Sequence, residues 1–316
     1  MKANVVGAGA WGTAFTHVLV ERGHEVTLAC RDAEQATAIA ETGRNPRHLS
    51  GVHLGDVDAV TLADGLPDAE VTVIAVPSRS FAEVVRSLPA DGPVLSLTKG
   101  LDPETGNRLS TLLSDRPAAV LSGPNFAEEI GRGLPAAAVI ASEDTALAEW
   151  LQDELNSLTF RVYVNTDLVG VELCAAAKNV IALAAGGVDG LRLGDNAKSA
   201  MVTRGQAEMA RLGLACGARS ETFAGLAGMG DLIVTCWSHL SRNRRAGELI
   251  ARGATPEAAE AEIGTVEGLT TAPVLDDLGT RVGVDLPITR GVCEILGGGS
   301  LHELVAGLMG RVPTAE

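Results

Sequence analysis

The stretch Gly7-Ala8-Gly9-Ala10-Trp11-Gly12 follows the strand-like run Asn4-Val5-Val6 and precedes a helical stretch at residues 11–22. In this spacing the first glycine permits a tight turn, the second lets the backbone approach a ligand, and the third lets helix and strand pack closely. The N–H groups at a helix N-terminus bind pyrophosphate. The stretch therefore predicts a dinucleotide site, and the alternative is a purely structural turn.

Short apolar runs alternate with helical stretches through the first half of the chain. They are bounded by Gly, Pro or Asp, as is typical of parallel strands buried on both faces. Alternation of this kind predicts a doubly wound parallel sheet. The predicted strands are residues 4–6, 25–29, 71–75, 94–97, 118–121, 136–140 and 159–163, and the predicted helices are 11–22, 33–41 and 80–87.

The pattern changes near Asp167, where long Ala- and Leu-rich segments with helical spacing replace the strand-like runs. The predicted fold class is an α/β N-terminal Rossmann domain followed by an all-α C-terminal domain. The first covers residues 1–166 and binds a dinucleotide; the second covers 167–316 and binds substrate. Helices are predicted at residues 168–185, 197–212, 243–251, 272–282 and 288–296.

Charge restricts the class of partner. The chain has 316 residues with 25 basic against 40 acidic side chains, a net charge of −15. Nucleic acid and anionic membranes bind basic surfaces, so we expect no nucleic acid and no membrane partner. A phosphorylated ligand would need a local cationic pocket.

The cysteines indicate the compartment. There are five, scattered and without a C-x-x-C pair, which favours free thiols in a reducing compartment and predicts no disulfide framework and no metal site. The sequence shows no signal-peptide pattern, and the longest apolar stretch, residues 169–188, contains Glu172 and Lys178. We expect a cytoplasmic protein.

The end of the second predicted strand bears on the choice of cofactor. An acidic residue near this point binds the ribose of NAD, and here Cys30 is followed by Arg31 and Asp32. Arg31 offers a charged, bidentate donor to the 2′-phosphate of NADP. NADP(H) is favoured and NAD(H) remains possible. Alternatively, Arg31 lies on the surface and Asp32 caps the next helix.

Polar groups follow three predicted strands at the carboxyl edge of the sheet, where cofactors of such domains lie. They belong to Val76-Pro77-Ser78, Thr98-Lys99-Gly100 and Ser122-Gly123-Pro124-Asn125-Phe126-Ala127. Each group is expected to face the crevice, although Lys99 could also be an ordinary solvated lysine.

Polar clusters interrupt the helical half. Lys178-Asn179 lies in an apolar helix, where a charge requires partners or a function; the alternative is a lysine that extends from the helix edge to water. Burial would lower its pKa and suit it to proton transfer. Asp231 follows a Gly-rich run, and Ser241-Arg242-Asn243 begins a helix, a pattern that binds anions. Both could also be simple caps with solvated arginines.

In combination these segments resemble the bacterial-type NAD(P)-dependent glycerol-3-phosphate dehydrogenase family. The resemblance covers nearly the whole chain, in order. It consists of Gly-Ala-Gly-Ala-Trp-Gly-Thr-Ala from Gly7, Thr-Lys-Gly at Thr98, Gly-Pro-Asn-Phe-Ala at Gly123, Ala-Lys-Asn-Val at Ala177, Gly-Met-Gly-Asp-Leu at Gly228, Ser-Arg-Asn at Ser241 and Val-Glu-Gly at Val266.

The resemblance implies reversible conversion of sn-glycerol 3-phosphate to dihydroxyacetone phosphate, which supplies glycerol 3-phosphate for phospholipid synthesis, in a homodimer. It implies Lys178 as proton acceptor, with Lys99 and Asp231 also catalytic. The implied substrate residues are Lys99, Gly123, Asn125, Lys178, Asn179, Asp231, Ser241, Arg242 and Asn243. The implied cofactor residues are Gly7, Gly9, Ala10, Trp11, Gly12, Arg31, His48, Lys99, Ala127, Arg242, Thr265 and Glu267.

Two positions depart from the family pattern. Asn125 stands where Ser or Thr is more usual, and Thr265 where Val is more usual. Two other functions stay open: a related two-domain dehydrogenase of hydroxyacids or hydroxyacyl thioesters, and a non-catalytic NAD(P)-sensing protein. The first gives Ser241-Arg242-Asn243 no purpose, and retention of Lys99, Lys178 and Asp231 argues against the second.

Overall fold

The computed structural model describes residues 1–89 and 91–300, which contain one eight-stranded sheet of order β3-β2-β1-β4-β5-β6-β7-β8. The strands are β1 Lys2–Val6, β2 Glu25–Cys30, β3 Asp58–Thr61, β4 Val71–Ile74, β5 Val94–Ser96, β6 Ala118–Ser122, β7 Ala136–Ser142 and β8 Phe160–Asn165. All neighbours are parallel except β6 and β7, which pair antiparallel.

The predicted fold class is confirmed, with two differences in detail. β3 was not predicted, because Asp58–Thr61 is a partly exposed edge strand without an apolar run. The antiparallel β7 follows a short helix at Ala127–Ile130, and no long helix crosses the sheet to return the chain for parallel pairing.

Five α-helices accompany the sheet and eight α-helices follow it in the described chain. The first group is α1 Ala10–Glu21, α2 Ala33–Thr42, α3 Ser78–Ser87, α4 Ala127–Ile130 and α5 Thr145–Leu155. The second group is α6 Leu168–Gly190, α7 Gly194–Ala215, α8 Ser220–Ala224, α9 Asp231–Trp237, α10 Arg242–Ala251, α11 Pro256–Ile263, α12 Glu267–Val282 and α13 Pro287–Leu296. The predicted boundary at 166/167 falls between β8 and α6 and stays a prediction, and residues 301–316 of the predicted second domain lie outside the described residues.

The long helix α6 is the centre of the helical half. Asp167 caps it by accepting a hydrogen bond from the Gly170 N–H at 2.9 Å. Its 23 residues are apolar enough to cross a membrane, but 89% of the apolar window is buried inside the protein. The helix is therefore long and apolar because it forms part of the protein core. Lys178 lies in the middle of this helix.

Glycines bring α10 unusually close to α6. A Cβ on Gly186 would meet the carbonyl oxygen of Arg244 at 1.9 Å, and one on Gly247 would meet that of Leu183 at 2.0 Å. Such distances are far inside van der Waals contact, so only glycine permits this approach. The contact fixes the N-terminus of α10 beside the middle of α6.

The turn between β1 and α1 depends on the same property. A Cβ on Gly12 would meet the Gly7 carbonyl oxygen at 1.9 Å, whereas a Cβ on Gly9 would meet no atom within 4 Å. Gly7 has a φ of 110° and packs against Ala75. The predicted strand–turn–helix geometry is present, and Gly9 leaves an open approach to the backbone.

We expect Gly12→Ala to destabilise the fold by about 2 kcal/mol or more, because the new methyl group overlaps backbone that cannot move without displacing β1. Gly9→Ala is the matched control, and it should lose only about 1 kcal/mol, since its backbone at φ −75° suits alanine. Urea unfolding of both variants measures the difference. Equal stabilities would contradict this account of the turn.

Candidate functional site

Two lysines share one buried carboxylate where the sheet meets the helical half. The Lys178 Nζ lies 2.5 Å from Oδ1 of Asp231, and the Lys99 Nζ lies 2.8 Å from Oδ2. Asp231 is 2% exposed and Lys178 5% exposed. Each oxygen of the carboxylate thus accepts from a different ammonium group, and the three residues form one charged cluster.

Three separate elements bring this cluster together. Lys99 follows β5 at the carboxyl edge of the sheet, Lys178 lies in α6, and Asp231 is the first residue of α9. Lys99 Nζ also donates to the carbonyl oxygen of Gly123 at 3.0 Å and to Oδ1 of Asn125 at 2.8 Å. Its three ammonium donors are therefore all used.

Thr235 completes the cluster, and the sequence interpretation assigned it no role. Its hydroxyl accepts from Lys178 Nζ at 3.1 Å and lies 2.5 Å from the Asp231 carbonyl oxygen, to which it donates. It stands four residues after Asp231 on one face of α9. That spacing is the signal that could have identified it.

Burial and charge set the protonation of the cluster. Burial, reinforced by the positive charge of Lys99, lowers the pKa of Lys178 from 10.5 to about 7, although Asp231 opposes the shift. Burial would raise the pKa of Asp231, but the two lysines outweigh it and hold that pKa below its ordinary value. Near neutrality Asp231 is ionised while Lys178 can gain or lose a proton.

A row of amides connects the cluster to α10 and α12. Asn179 Nδ2 donates to the Lys99 carbonyl oxygen at 3.1 Å, and Asn243 Nδ2 donates to Asn179 Oδ1 at 2.9 Å. The Gly268 N–H in turn donates to Asn243 Oδ1 at 2.8 Å. Asn179 and Asn243 therefore hold the starts of two helices against the lysine cluster.

The N-terminus of α10 has the features of an anion site. The Ser241 hydroxyl caps the helix by accepting from the Arg244 N–H at 3.2 Å, and the side chain of Arg242 is exposed. Partial burial and then the positive charges of Arg242 and Arg47 lower the pKa of His48. Ser241, Arg242 and Asn243 therefore place a cap, a cation and an amide at one helix start.

Glu267, the first residue of α12, joins the helical half of the chain to the half that contains the sheet. Its carboxylate accepts from the Ser78 N–H at 3.1 Å and from the Ser78 hydroxyl at 2.6 Å. Burial raises the pKa of Glu267, while the bonds from Ser78 and the charge of Arg242 act in the opposite direction. Ser78 lay in a segment predicted to face the crevice, but its pairing with Glu267 was not predicted.

Several features at the carboxyl edge of the sheet fit a dinucleotide. Gly9 leaves open space at the N-terminus of α1, where pyrophosphate binds in such turns. Buried Trp11 Nε1 and Asn125 Nδ2 have no hydrogen-bond partner within the described part of the chain. A cradle for phosphate and two unused donors at predicted contact positions are what a bound cofactor and substrate would require.

The remaining predicted positions lie at or near the ends of strands and helices. Ala10 and Ala127 begin α1 and α4, and Thr265 lies two residues before α12. Arg31 follows β2, and its exposed side chain forms no hydrogen bond or ion pair with a described residue. Asp32 caps α2 by accepting from the Gln35 N–H at 3.0 Å, the structural alternative considered above.

Both halves of the chain match models of one protein family. Residues 2–148 match the model described as NAD-dependent glycerol-3-phosphate dehydrogenase N-terminus, and residues 167–306 match the corresponding C-terminus. Glycerol-3-phosphate dehydrogenase [NAD(P)+] from Moorella thermoacetica is 46% identical over 323 residues, covering 99% of this chain and 96% of that protein. The Deinococcus radiodurans protein of the same name is 47% identical over 319 residues, with the same two coverages.

Solved structures lead to the same family. Glycerol-3-phosphate dehydrogenase from Coxiella burnetii superposes with a TM-score of 0.93 at 35% identity, covering 98% of this chain and 99% of that one. A ketopantoate reductase from Ralstonia eutropha gives a TM-score of 0.61 at 20% identity, covering 94% and 97%, and shares the fold alone.

Below pH 7, where the Lys178 amine is charged, we expect Asp231→Asn to destabilise the protein by about 3–5 kcal/mol, because it leaves that charge buried without its carboxylate. The double variant Asp231→Asn/Lys178→Met should recover part of that loss, since only Lys99, whose side chain is 16% exposed, then lacks a carboxylate. Urea unfolding compares the two. A single variant as stable as the parent protein would show that the cluster does not depend on Asp231.

Proposed function

We propose, because this chain belongs to the NAD-dependent glycerol-3-phosphate dehydrogenase family, that it interconverts sn-glycerol 3-phosphate and dihydroxyacetone phosphate with NAD(P). The observation that carries the proposal is the buried ammonium group of Lys178 close to the start of α10, which carries Arg242. Asn179, the residue after Lys178, accepts a hydrogen bond from Asn243 of α10. The ammonium group can move a proton and the start of α10 can hold a phosphate.

Lys178 is the proposed proton carrier. In the oxidation of the alcohol, its neutral amine accepts the proton of the C2 hydroxyl as the C2 hydrogen leaves as hydride; in the reduction, its ammonium group donates that proton to the carbonyl oxygen. A pKa of about 7 serves both directions near neutrality. When bound, the nicotinamide supplies the hydride chemistry.

Asp231, Thr235 and Lys99 hold Lys178 in a productive state. Asp231 Oδ1 and the Thr235 hydroxyl fix the position of the amine, and Asp231 favours its charged form. Lys99 favours the neutral form and contributes a cation at the edge of the site, next to Gly123 and Asn125. The balance of these two charges sets the protonation of Lys178.

The substrate phosphate is proposed to bind at the start of α10. Arg242 and Asn243 supply donors from side chains, with Ser241 at the cap and Asn179 next to Asn243. Binding a phosphate remote from the reacting carbon orients that carbon and raises its effective concentration. In a protein with a net charge of −15, this local cationic group is needed to hold a dianion.

The dinucleotide is proposed to lie along the open turn at Gly9 and the carboxyl edge of the sheet. Arg31 at the end of β2 favours NADP(H), because no described residue occupies its guanidinium, which can bind a 2′-phosphate. Further cofactor contacts are proposed for Gly7, Ala10, Trp11, Gly12, His48, Lys99, Ala127, Arg242, Thr265 and Glu267.

The setting is proposed to be cytoplasmic and homodimeric, with the product glycerol 3-phosphate supplied to phospholipid synthesis. The five cysteines are free, and three of them are buried, which supports a reducing compartment.

Lys178→Met should lower kcat about 10²–10⁴-fold in an assay of NADPH oxidation with dihydroxyacetone phosphate, because the proton carrier is lost. In the parent protein, oxidation should increase with pH through about 7, where Lys178 loses its proton, and reduction should decrease over the same range.

Lys198→Met is the matched control for that assay. Lys198 is also buried, at 3% exposure, but pairs with Asp189 at 2.7 Å outside the cluster. It should keep most of the turnover. If Lys178→Met retained more than about a tenth of the parent rate, Lys178 would not be the proton carrier.

Arg31→Met should lower kcat/KM for NADPH by about 10–100-fold and change that for NADH little, because a charged hydrogen bond to phosphate contributes about 1.5–3 kcal/mol. The matched control is Arg86→Met, an exposed arginine on α3 that donates to the Ala82 carbonyl oxygen. Equal losses with the two cofactors would remove the role proposed for Arg31.

A further inference from the structure

A buried asparagine fixes the loop after α2 to the glycine turn. Asn45 is 0% exposed, and its Nδ2 donates to the Ala8 carbonyl oxygen at 2.9 Å and to the Thr13 hydroxyl at 2.7 Å. Gln35 Nε2 donates both to the same carbonyl oxygen and to Asn45 Oδ1, each at 3.0 Å. The loop is therefore joined to the turn where pyrophosphate is expected.

The same asparagine orients the next residues of the loop. Asn45 Oδ1 accepts from the Arg47 N–H at 3.0 Å and from the His48 N–H at 3.3 Å. Both backbones are thus held at defined positions relative to the turn. Arg47 does not lie on a loose surface segment, even though its side chain is exposed.

The Arg47 guanidinium lies at the end of β2. Its Nη2 is 3.0 Å from Oδ1 of Asp32, the residue next to Arg31. A guanidinium has five N–H donors, and among described residues the Arg47 side chain uses only the bond to Asp32. Among described residues, Arg47 and Arg31 therefore both have unused donors near the end of β2, where the adenosine ribose lies in folds of this class.

Charge explains why a second arginine is needed there. Asp32 is held ionised, since the bond from the Gln35 N–H and then the Arg47 guanidinium lower its pKa. A carboxylate at this place repels a 2′-phosphate and suits a ribose hydroxyl. Arg31 alone would only cancel Asp32, whereas Arg31 with Arg47 leaves a net positive charge.

We propose that Arg47 is a second specificity-determining residue, which binds the 2′-phosphate of NADP together with Arg31 and whose backbone is positioned by Asn45. This inference rests on the proposed preference for NADP(H). A purely structural ion pair is the alternative; the two side chains are 46% and 39% exposed, and such surface pairs contribute little to stability.

The test is direct binding, measured by calorimetry on the intact protein with two fragments as probes, adenosine 2′,5′-bisphosphate and adenosine 5′-monophosphate. Arg47→Met should weaken binding of the bisphosphate about tenfold or more and leave the monophosphate nearly unchanged. Asp32→Asn retains a capping side chain and removes the repelling charge, so it should strengthen bisphosphate binding severalfold.

Arg44→Met is the matched control. Arg44 is an exposed arginine of the same loop that donates to the carbonyl oxygens of Ser50 and Gly51, so its loss changes the net charge equally without touching Asp32. It should leave the ratio of the two affinities unchanged.

Two outcomes overturn the inference, and they differ from each other. If the parent protein prefers the bisphosphate and Arg47→Met keeps that preference, Arg47 is only a surface ion pair while the preference for NADP stands. If the parent protein binds both fragments equally, the preference for NADP fails, and the role of Arg47 fails with it.

Discussion

One buried carboxylate held between two ammonium groups is the interaction on which the rest of the structure depends. Asp231 is 2% exposed, and a carboxylate so deep in a protein stays ionised only where positive charge compensates for lost hydration. Lys178 and Lys99 provide that charge from different halves of the chain. The sheet edge, α6 and α9 must therefore meet within hydrogen-bond distance.

The surrounding structure holds Asp231 and the two lysines at fixed positions. Glycines at Gly186 and Gly247 bring α10 onto α6, and the amides of Asn179 and Asn243 connect α10 to the loop of Lys99. The proposed proton carrier, Lys178, and the proposed phosphate site at the start of α10 are thus both fixed to α6. If either the glycine packing or the amide hydrogen bonds were lost, the two parts of the proposed substrate site would move apart.

Much of this could be predicted from the sequence, and the reasons are local. The glycine spacing at Gly7 and the strand–helix alternation each depend on neighbouring residues, so the Rossmann half followed from pattern. A lysine in an apolar helix indicated a partner or a function. The order of motifs along the chain then supplied a family, although the roles of individual residues stay proposals.

What pattern could not give was pairing across the fold. The bond between Ser78 and Glu267 joins residues far apart in sequence, and no local rule predicts it. The contact of Arg47 with Asp32 also depends on how the loop after α2 folds back. Asp32 is therefore a helix cap that also pairs with the Arg47 guanidinium. The edge strand at Asp58–Thr61 has too few apolar residues to be recognised.

The central claim is that the shared carboxylate and the burial of Lys178 place its titration near neutrality. NMR of the protein with ¹³C-labelled lysine Cε, recorded across a pH series and assigned with Lys178→Met, measures that titration directly. A midpoint of about 7 for the Lys178 signal is the predicted result. A midpoint close to the ordinary lysine pKa, about 10.4, would contradict the account.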